Sequence, residues 1–323
     1  MVQILIIGIA AGAAAALLFA SLISGSSFSL LLVSIAPLPI LIAAMGWSHL
    51  AGLIAATVGA TALAASLSGV LFVAFLVGVG LPAWWLAYLA LLARPTTQPT
   101  DSLEWYPVGR LVVWAALLAT MIVTISLLNI GTDAESIRAG LRRIFEQIIR
   151  IQRGTPAGAP LDIPGLPDPK HLLEFLSLVF APSAAVLATI TNLINLWLAA
   201  RVVKVSGRLK RPWPDLAAIS FPPAVTALLA GAIAGSFLPG LIGMIAGVLT
   251  ATLLTAYAAL GFAVLHKITG GISGRGFVLG AAYAAVGVLG WPVLAMTLLG
   301  LADTLLDVRG RVAARRGPSA PDT

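Results

Sequence analysis

Two asparagines are the most chemically informative polar residues within the apolar segments of the chain. Asn192 and Asn195 stand three residues apart, so a helix would place both amides on one face, with Thr189 and Thr191 close by. Amides and hydroxyls can bind a neutral polar solute or hydrogen-bond a neighbouring helix. Polar groups inside a bilayer are costly and often functional. Asn192, Asn195 and Thr189 are therefore candidate ligand-binding residues, with bonding between helices as the open alternative.

The second candidate is a charged cluster at the end of the last apolar segment. Asp303 and Asp307 lie four residues apart, and Arg309 follows directly. Carboxylates at this depth are expected to pair with an arginine or with helix-end amides. The cluster is predicted to be an orienting ion pair, and proton coupling is the alternative.

Motifs for catalysis are incomplete. Gly271-Ile272-Ser273-Gly274 resembles the nucleophile motif of rhomboid intramembrane proteases, which use a histidine on a later helix, and no histidine follows His266. Neither H-E-x-x-H nor a Walker loop occurs, cysteine is absent, and the three histidines are scattered. We expect a protein that is not an enzyme and has no metal site or cofactor.

The elements that position these residues must lie in a bilayer. None of the first 93 residues is charged, and 59% of all residues are hydrophobic against 10% charged. A soluble domain needs a wettable outer face, whereas each membrane span needs about 20 apolar residues. The length leaves room for about eight or nine spans. The sequence predicts an all-α, polytopic transmembrane helix bundle of that size, with one amphipathic helix at its surface.

Nine apolar segments follow one another along the chain. They cover, in order, residues 4–22, 28–46, 50–67, 70–92, 111–130, 171–202, 223–237, 240–267 and 277–306. Pro37 and Pro39 should kink or split the second segment, and Pro292 is a candidate break in the last one. We expect four parts: a five-span block (1–130), an amphipathic helix with a proline-rich connector (131–170), a block of three to four membrane segments (171–308), and a basic, disordered tail (309–323).

The amphipathic helix begins near a Thr132/Glu135 pair spaced like a capping box. Apolar residues then recur from Ile137 to Ile149 at the helical period, with arginines between them. Such a helix is too charged to cross a bilayer. It either lies flat on the membrane surface or packs against the protein itself.

The positive charge is concentrated in loops. The loop from Arg201 to Arg211 and the tail from Arg309 onward are both basic, which favours a cytoplasmic position for each over any contact with nucleic acid. Three segments separate the two basic regions. Both can lie on one side only if one segment re-enters or is split.

Small residues recur every fourth position in the first span and allow close helix approach, either within the chain or to a partner subunit. They are Gly8 and Gly12, Ala10 and Ala14, and Ala11 and Ala15.

Several of these features together resemble a known family. They are the charge-free start with its Pro37-Leu38-Pro39 motif, the amphipathic helix with the proline-rich connector, and a closing element made of Gly300, Asp303, Asp307 and Arg309. This pattern is similar to the YybS-like family of bacterial multi-pass membrane proteins, which is distantly similar to S components of energy-coupling-factor transporters and to the cell-shape protein MreD.

The resemblance implies an S-component-like helical core with extra spans. S components use small-residue faces of their first helix to dock a coupling subunit, and the alanine pairs match that pattern in kind. A vitamin-binding loop is not recognisable, so the resemblance implies no particular substrate.

The leading expectation is binding or transport of a small or amphiphilic ligand in the bacterial cytoplasmic (inner) membrane. The expected partners are membrane lipid and a membrane protein, either a coupling subunit or an envelope protein. A scaffold that docks envelope or membrane-complex partners is the alternative.

Overall fold

The computed structural model describes residues 1–95, 103–156 and 168–316, and this part of the chain is almost entirely helical. The all-α fold class is confirmed. The helices, in chain order, are α1 (Val2–Ala20), α2 (Ser27–Ser34), α3 (Pro37–Gly46), α4 (His49–Ser66), α5 (Gly69–Phe75), α6 (Leu81–Ala90), α7 (Val108–Leu128), α8 (Ala134–Arg153), α9 (Pro169–Val205), α10 (Pro223–Ser236), α11 (Gly240–Ile268), α12 (Arg275–Leu289), α13 (Val293–Leu306) and α14 (Val308–Arg316).

Seven helical segments within the described ranges are long and apolar enough to cross a bilayer. They are Val2–Ser24, Phe28–Gly46, His49–Ser66, Gly69–Ala90, Val108–Leu128, Pro169–Val205 and Gly240–Ile268. Large apolar side chains on these segments face outward, for example Leu17 at 74% exposure and Val70 at 77%. Hydrocarbon solvates such a surface, and water does not. The chain is a multi-pass membrane protein.

The seventh and ninth apolar segments of the sequence form shorter helices. α10 and α13 have 14 residues each and α12 has 15. At 1.5 Å per residue each is about 21 to 23 Å long, which is less than the roughly 30 Å of a hydrocarbon core. The ninth segment divides at Gly290, whose φ is 73°, and α13 begins directly after Pro292. The expected break at Pro292 is confirmed.

Prolines also shape two of the long segments. α2 ends at Ser34 and α3 starts at Pro37, a helix position that tolerates proline because its N–H would have no helical acceptor. The predicted split of the second span is therefore confirmed. In the fourth span a π-helical turn, Leu76–Gly80, precedes Pro82, where the ring removes a backbone donor from the helix.

The described chain forms two compact units. One contains Met1–Ala115, Thr189–Thr226 and the chain from Thr255, and the other contains Ala116–Ala188 and Ala227–Leu254. In the first unit α1 packs along α4, and α3 packs against both α4 and α6. The connection between α6 and α7 includes a short antiparallel pair, β1 (Ala93–Pro95) and β2 (Leu103–Trp105).

Helix α8 starts from a different cap than the sequence indicated, since its N-cap is Asp133 and not Thr132. The Asp133 carboxylate accepts hydrogen bonds from the backbone N–H groups of Glu135 and Ser136 at 3.0 and 2.9 Å, and the Ser136 hydroxyl accepts one from the Asp133 N–H. A carboxylate suits this position because the helix dipole favours negative charge there. These bonds, the backbone bond from Ser136 foremost, lower the pKa of Asp133.

The first half of α8 packs into the core of the second unit. Ile137 and Leu141 are buried in a cluster with Val123, Leu127, Ala181, Ala185 and Val248. Further along α8, Ile144 and Ile148 are 41% and 44% exposed. The apolar residues in the first half of α8 therefore pack against the protein itself. Contact with the membrane surface stays a prediction for the second half. The proline-rich connector lies mostly in residues 157–167, outside the described part.

Helix α13 lies antiparallel to the C-terminal half of α11. Gly261 of α11 approaches the carbonyl of Met296, and Gly300 approaches the carbonyl of Tyr257, where a Cβ atom on either glycine would clash. Asp307, which directly follows α13, has a φ of 48°. The last apolar segment is split between α12 and α13, which is one of the two arrangements that allow both basic regions to share a side.

Candidate functional site

Asn195 acts as a structural hydrogen-bond donor in the first unit. Its Nδ2 donates to the carbonyl oxygens of Ser34 and Thr191, at 2.7 and 2.9 Å. The Ser34 carbonyl lacks its usual helical partner because Leu38 donates to Ile35 instead, at the proline break. An unsatisfied carbonyl inside a membrane protein is costly. The Asn195 amide therefore compensates for the break between α2 and α3.

The other two polar residues of the predicted site are also buried. Thr189 is fully buried, and Asn192 is 8% exposed. The Asn192 Nδ2 and the Asn195 Oδ1 have no hydrogen-bond partner among the described residues. The next face of α9, lined by Leu193 and Leu196, borders a cavity instead. Ligand binding by the asparagine face stays a prediction.

The small residues of α1 divide between two faces. Gly8 and Gly12 lie against Ile54 and Ala55 of α4, and a Cβ on Gly12 would stand 2.6 Å from the Ala55 carbonyl oxygen. Ala15 is fully buried as well. Gly8 and Gly12 thus pack against α4 of the same chain. Of the other small residues, Ala10 and Ala14 are exposed, and Ala11 is partly buried.

The terminal cluster forms one buried ion pair. Arg309 Nη2 lies 2.7 Å from Oδ2 of Asp303, and the two side chains are 18% and 5% exposed. Arg309 Nη1 also donates to the Ala217 carbonyl at 2.9 Å. Asp307 stands apart, since its Oδ1 accepts from the backbone N–H of Gly310 at 3.1 Å. The pair thus ties the end of α13 to the segment that precedes α10.

That segment, residues 213–222, runs beside the C-terminal half of α11 without forming an α-helix. Near one end Asp215 lies 3.6 Å from Lys267, and near the other Phe221 packs edge-to-face on Tyr257 with ring centroids 5.1 Å apart. Lys267 and Tyr257 are separated by about 15 Å along a helix. At membrane depth such backbone is tolerated where it is buried in protein or lines a cavity. Residues 213–222 line two cavities.

The first cavity is apolar and has a volume of about 240 Å³. Its walls come from α7, α9, α11 and residues 213–222, and include Leu196, Trp197, Leu216 and Ala259. Arg211 lies at its edge and donates from Nη1 to the Ala90 carbonyl at 3.1 Å. Burial lowers the pKa of the Arg211 guanidinium. This cavity suits an alkyl or aromatic group.

The second cavity has a volume of about 800 Å³ and a more polar wall. It shares six residues with the first: Trp197, Trp213, Pro214, Leu216, Ile219 and Ala259. The two cavities therefore adjoin, and together they are named the groove. The residues found only in the second cavity include Asp215, His266, Arg275 and Tyr283. The groove is apolar at one end and carries several polar side chains at the other.

Aromatic contacts fix the positions of the groove's polar side chains. The Tyr283 ring stacks on Phe262, with centroids 4.8 Å apart and planes 2° apart, and its hydroxyl lies 2.9 Å from Nε2 of His266. On the opposite wall, Lys204 Nζ lies 4.7 Å from the ring centroid of Trp213. Arg201 is 5.3 Å from the same ring. Both cations lie in the last turns of α9 and not in a loop as the sequence indicated, and they anchor Trp213 through cation–π contacts.

The groove residues were missed by the sequence reasoning. Trp197, Trp213, His266 and Tyr283 are far apart along the chain and follow no motif. The available signal was the stretch from Trp213 to Pro223, where three prolines interrupt the chain before an unusually short apolar segment. Proline-interrupted segments beside short spans point to membrane-depth binding sites.

Among the residues that the structure describes, no three His, Cys, Asp or Glu side chains gather where they could hold a metal ion. In comparisons with known proteins the chain matches no family model, no curated protein and no solved structure. Function is therefore inferred from the groove and its chemistry.

Proposed function

We propose that this membrane protein binds an amphiphilic molecule in the groove. The apolar part of the ligand occupies the 240 Å³ cavity, and its polar part occupies the adjoining cavity of 800 Å³. The observation that carries the proposal is that an apolar cavity and a cavity with several polar side chains share one wall, which includes Trp197, Trp213 and Ala259. Ligand sites are typically apolar concave spaces with a few placed polar groups.

In this proposal the protein binds or helps to transport the ligand and does not transform it. Two ionisable side chains of the polar cavity have structural partners, since Asp215 pairs with Lys267 and His266 bonds Tyr283. A nucleophile activated by an adjacent base would be needed for acyl transfer. The resemblance to the YybS-like family and to S components agrees with a binding role. In this proposal the protein lies in the bacterial cytoplasmic membrane, beside a coupling subunit.

A scaffolding role is the second candidate. The exposed Ala10 and Ala14 of α1 form a face on which another helix could pack closely. Purification in mild detergent separates the candidates. Recovery of an ATPase with its coupling subunit supports transport, and recovery of envelope-assembly proteins supports scaffolding.

Ligand binding is tested with a substitution that fills the groove. Ala259 lines both cavities, so Ala259→Trp places an indole at their junction. Ala62 of α4 is exposed, and Ala62→Trp is the matched control. Native mass spectrometry of protein extracted with its lipids should show a bound amphiphile in the wild type and the control but not in Ala259→Trp. Equal retention by all three proteins contradicts the proposal.

A further inference from the structure

We infer that the polar end of the ligand is an anionic head group, a carboxylate or a phosphate on an alkyl chain, bound by Arg275 and Tyr283. This inference rests on the proposed function, because it concerns the ligand of the same groove. The inference follows from a comparison of the charged side chains around the polar cavity that are paired with the one that is not.

Arg275 is the cation of this cavity that is not paired. The Asp215 carboxylate is matched by Lys267, with 3.6 Å between Oδ2 and Nζ. Within the described part of the chain, Arg275 makes no ion pair and its side chain makes no hydrogen bond, although it lines the cavity. A guanidinium offers a planar set of donors that match a carboxylate or a phosphate with two parallel bonds. An anionic group is the partner that this site lacks.

The position of Arg275 in its helix strengthens this argument. Arg275 is the first residue of α12, whose N-cap is Gly274. The N-terminal end of a helix carries a partial positive charge, so a cation there is unfavourable unless an anion lies nearby. The exposed N–H groups of the first helical turn attract an anion for the same reason. The arginine side chain and the helix dipole therefore both favour an anionic ligand.

Tyr283 is held in a position to donate a second bond. Its ring is fixed by stacking on Phe262, and its hydroxyl lies 2.9 Å from Nε2 of His266. When Nε2 carries the proton it donates to the tyrosine oxygen, and the hydroxyl hydrogen is then available to the head group.

Other head groups fit less well. A cationic head would be repelled by Arg275 with no unpaired carboxylate beside it, and a neutral head would gain no charge-assisted pair of bonds from this exposed guanidinium.

The experiment measures quenching of tryptophan fluorescence by brominated amphiphiles, which act on Trp197 and Trp213 in the groove wall. The probes are dibromostearate (anionic), a dibromostearoyl monoglyceride (neutral) and a brominated alkyltrimethylammonium (cationic), each added to the full chain in a neutral detergent. The wild type should bind the anionic probe at least about tenfold more tightly than the neutral one, the size expected for a charge-assisted contact. Arg275→Gln should remove this preference. An elution profile in size-exclusion chromatography like that of the wild type shows that the variant is folded.

Arg311 is exposed and lies outside the groove, so Arg311→Gln is the matched control and should keep the preference. Tyr283→Phe should reduce the preference for the anionic probe in part. Equal binding of anionic and neutral probes by the wild type overturns the inference but leaves the proposed function intact. Absence of quenching by all three probes overturns both. Displacement of the anionic probe by millimolar inorganic phosphate would identify a site for the free ion and overturn the amphiphile assignment.

Discussion

Replacing Asp303 by asparagine should destabilise the protein strongly, because it strands a buried cation. The Asp303 carboxylate accepts hydrogen bonds from Nε and from the backbone N–H of Arg309, in addition to the 2.7 Å contact with Nη2. Asparagine keeps the shape but removes the charge. Arg309 is 18% exposed and keeps only neutral acceptors, the Ala217 carbonyl and the asparagine Oδ1, so its charge has no counter-charge.

The expected loss follows from the burial of this pair. Removing one partner of a buried ion pair costs about 3 to 5 kcal/mol, and the lower end applies because part of the guanidinium reaches solvent. For a chain larger than 150 residues, 1 kcal/mol corresponds to roughly 2 °C or more in melting temperature. We therefore expect Asp303→Asn to melt about 6 °C or more below the wild type.

The assay is thermal unfolding in detergent followed by tryptophan fluorescence, at one scan rate because membrane proteins often unfold irreversibly. Asp307→Asn is the matched control. Asp307 is exposed and left-handed, a conformation that asparagine also adopts readily, so this variant should melt within about 2 °C of the wild type. Adding Arg309→Met to Asp303→Asn should restore part of the loss. Equal melting of Asp303→Asn and the wild type refutes the buried pair.

Three further substitutions test separate contacts. Asn195→Ala removes the donor to the Ser34 carbonyl and should cost about 1 to 3 kcal/mol, seen as a lower melting temperature. Gly12→Val forces a side chain against the Ala55 backbone of α4 and should abolish a monodisperse peak in size-exclusion chromatography. Asp133→Asn tests the cap of α8. Because hydrogen bonds lower the pKa of Asp133 below its ordinary 3.8, its stabilising effect is present above pH 3.8 and is lost as the pH falls through the lower folded value. The variant should lose this pH dependence of melting.

Matched variants separate these effects from general disturbance. Asn192→Ala should change melting less than Asn195→Ala does, since the Asn192 Nδ2 bonds to no described group. Gly69→Ala should leave the elution profile unchanged, because no atom lies within 4 Å of the added carbon. For Asp133, wild-type melting that is flat between pH 5 and about pH 2 would contradict the cap. A larger drop in melting temperature for Asn192→Ala than for Asn195→Ala would contradict the role of Asn195 at the proline break.

The membrane-spanning architecture could be predicted because solvent preference is local in sequence. A charge-free run of 93 residues and the breaks at Pro37 and Pro292 specify spans and interruptions without knowledge of neighbours. The Asp303–Arg309 pair could be predicted for the same reason, since the two residues are six apart across a helix end.

Contacts between distant residues could not be read in the same way. The acceptor of Asn195 is the Ser34 carbonyl, 161 residues away, and nothing near either residue indicates the other. The cap of α8 was misassigned because Thr132 and Glu135 match the usual capping-box pattern, whereas the box in the structure is formed by Asp133 and Ser136. Small-residue faces showed that helices approach closely, but not that Gly8 and Gly12 meet α4 of the same chain.

The groove was the least predictable feature, because its wall is assembled from several helices. Residues 213–222 look like an ordinary loop in sequence, and their passage beside α11 depends on contacts such as that of Phe221 with Tyr257. His266 and Tyr283 are 17 residues apart and meet only because a turn separates α11 from α12. Such a site follows from tertiary packing, and the prolines between Trp213 and Pro223 mark its place in the chain but not the residues of its wall.

The most direct test of the account is an experimental density map of the protein in lipid nanodiscs at a resolution that shows side chains. The account predicts elongated non-protein density in the groove, with its narrow part beside Leu196 and Ala259 and its head within hydrogen-bonding distance of Arg275. A groove closed by its own side chains, or one that contains only water while lipid density lies elsewhere, would contradict the account.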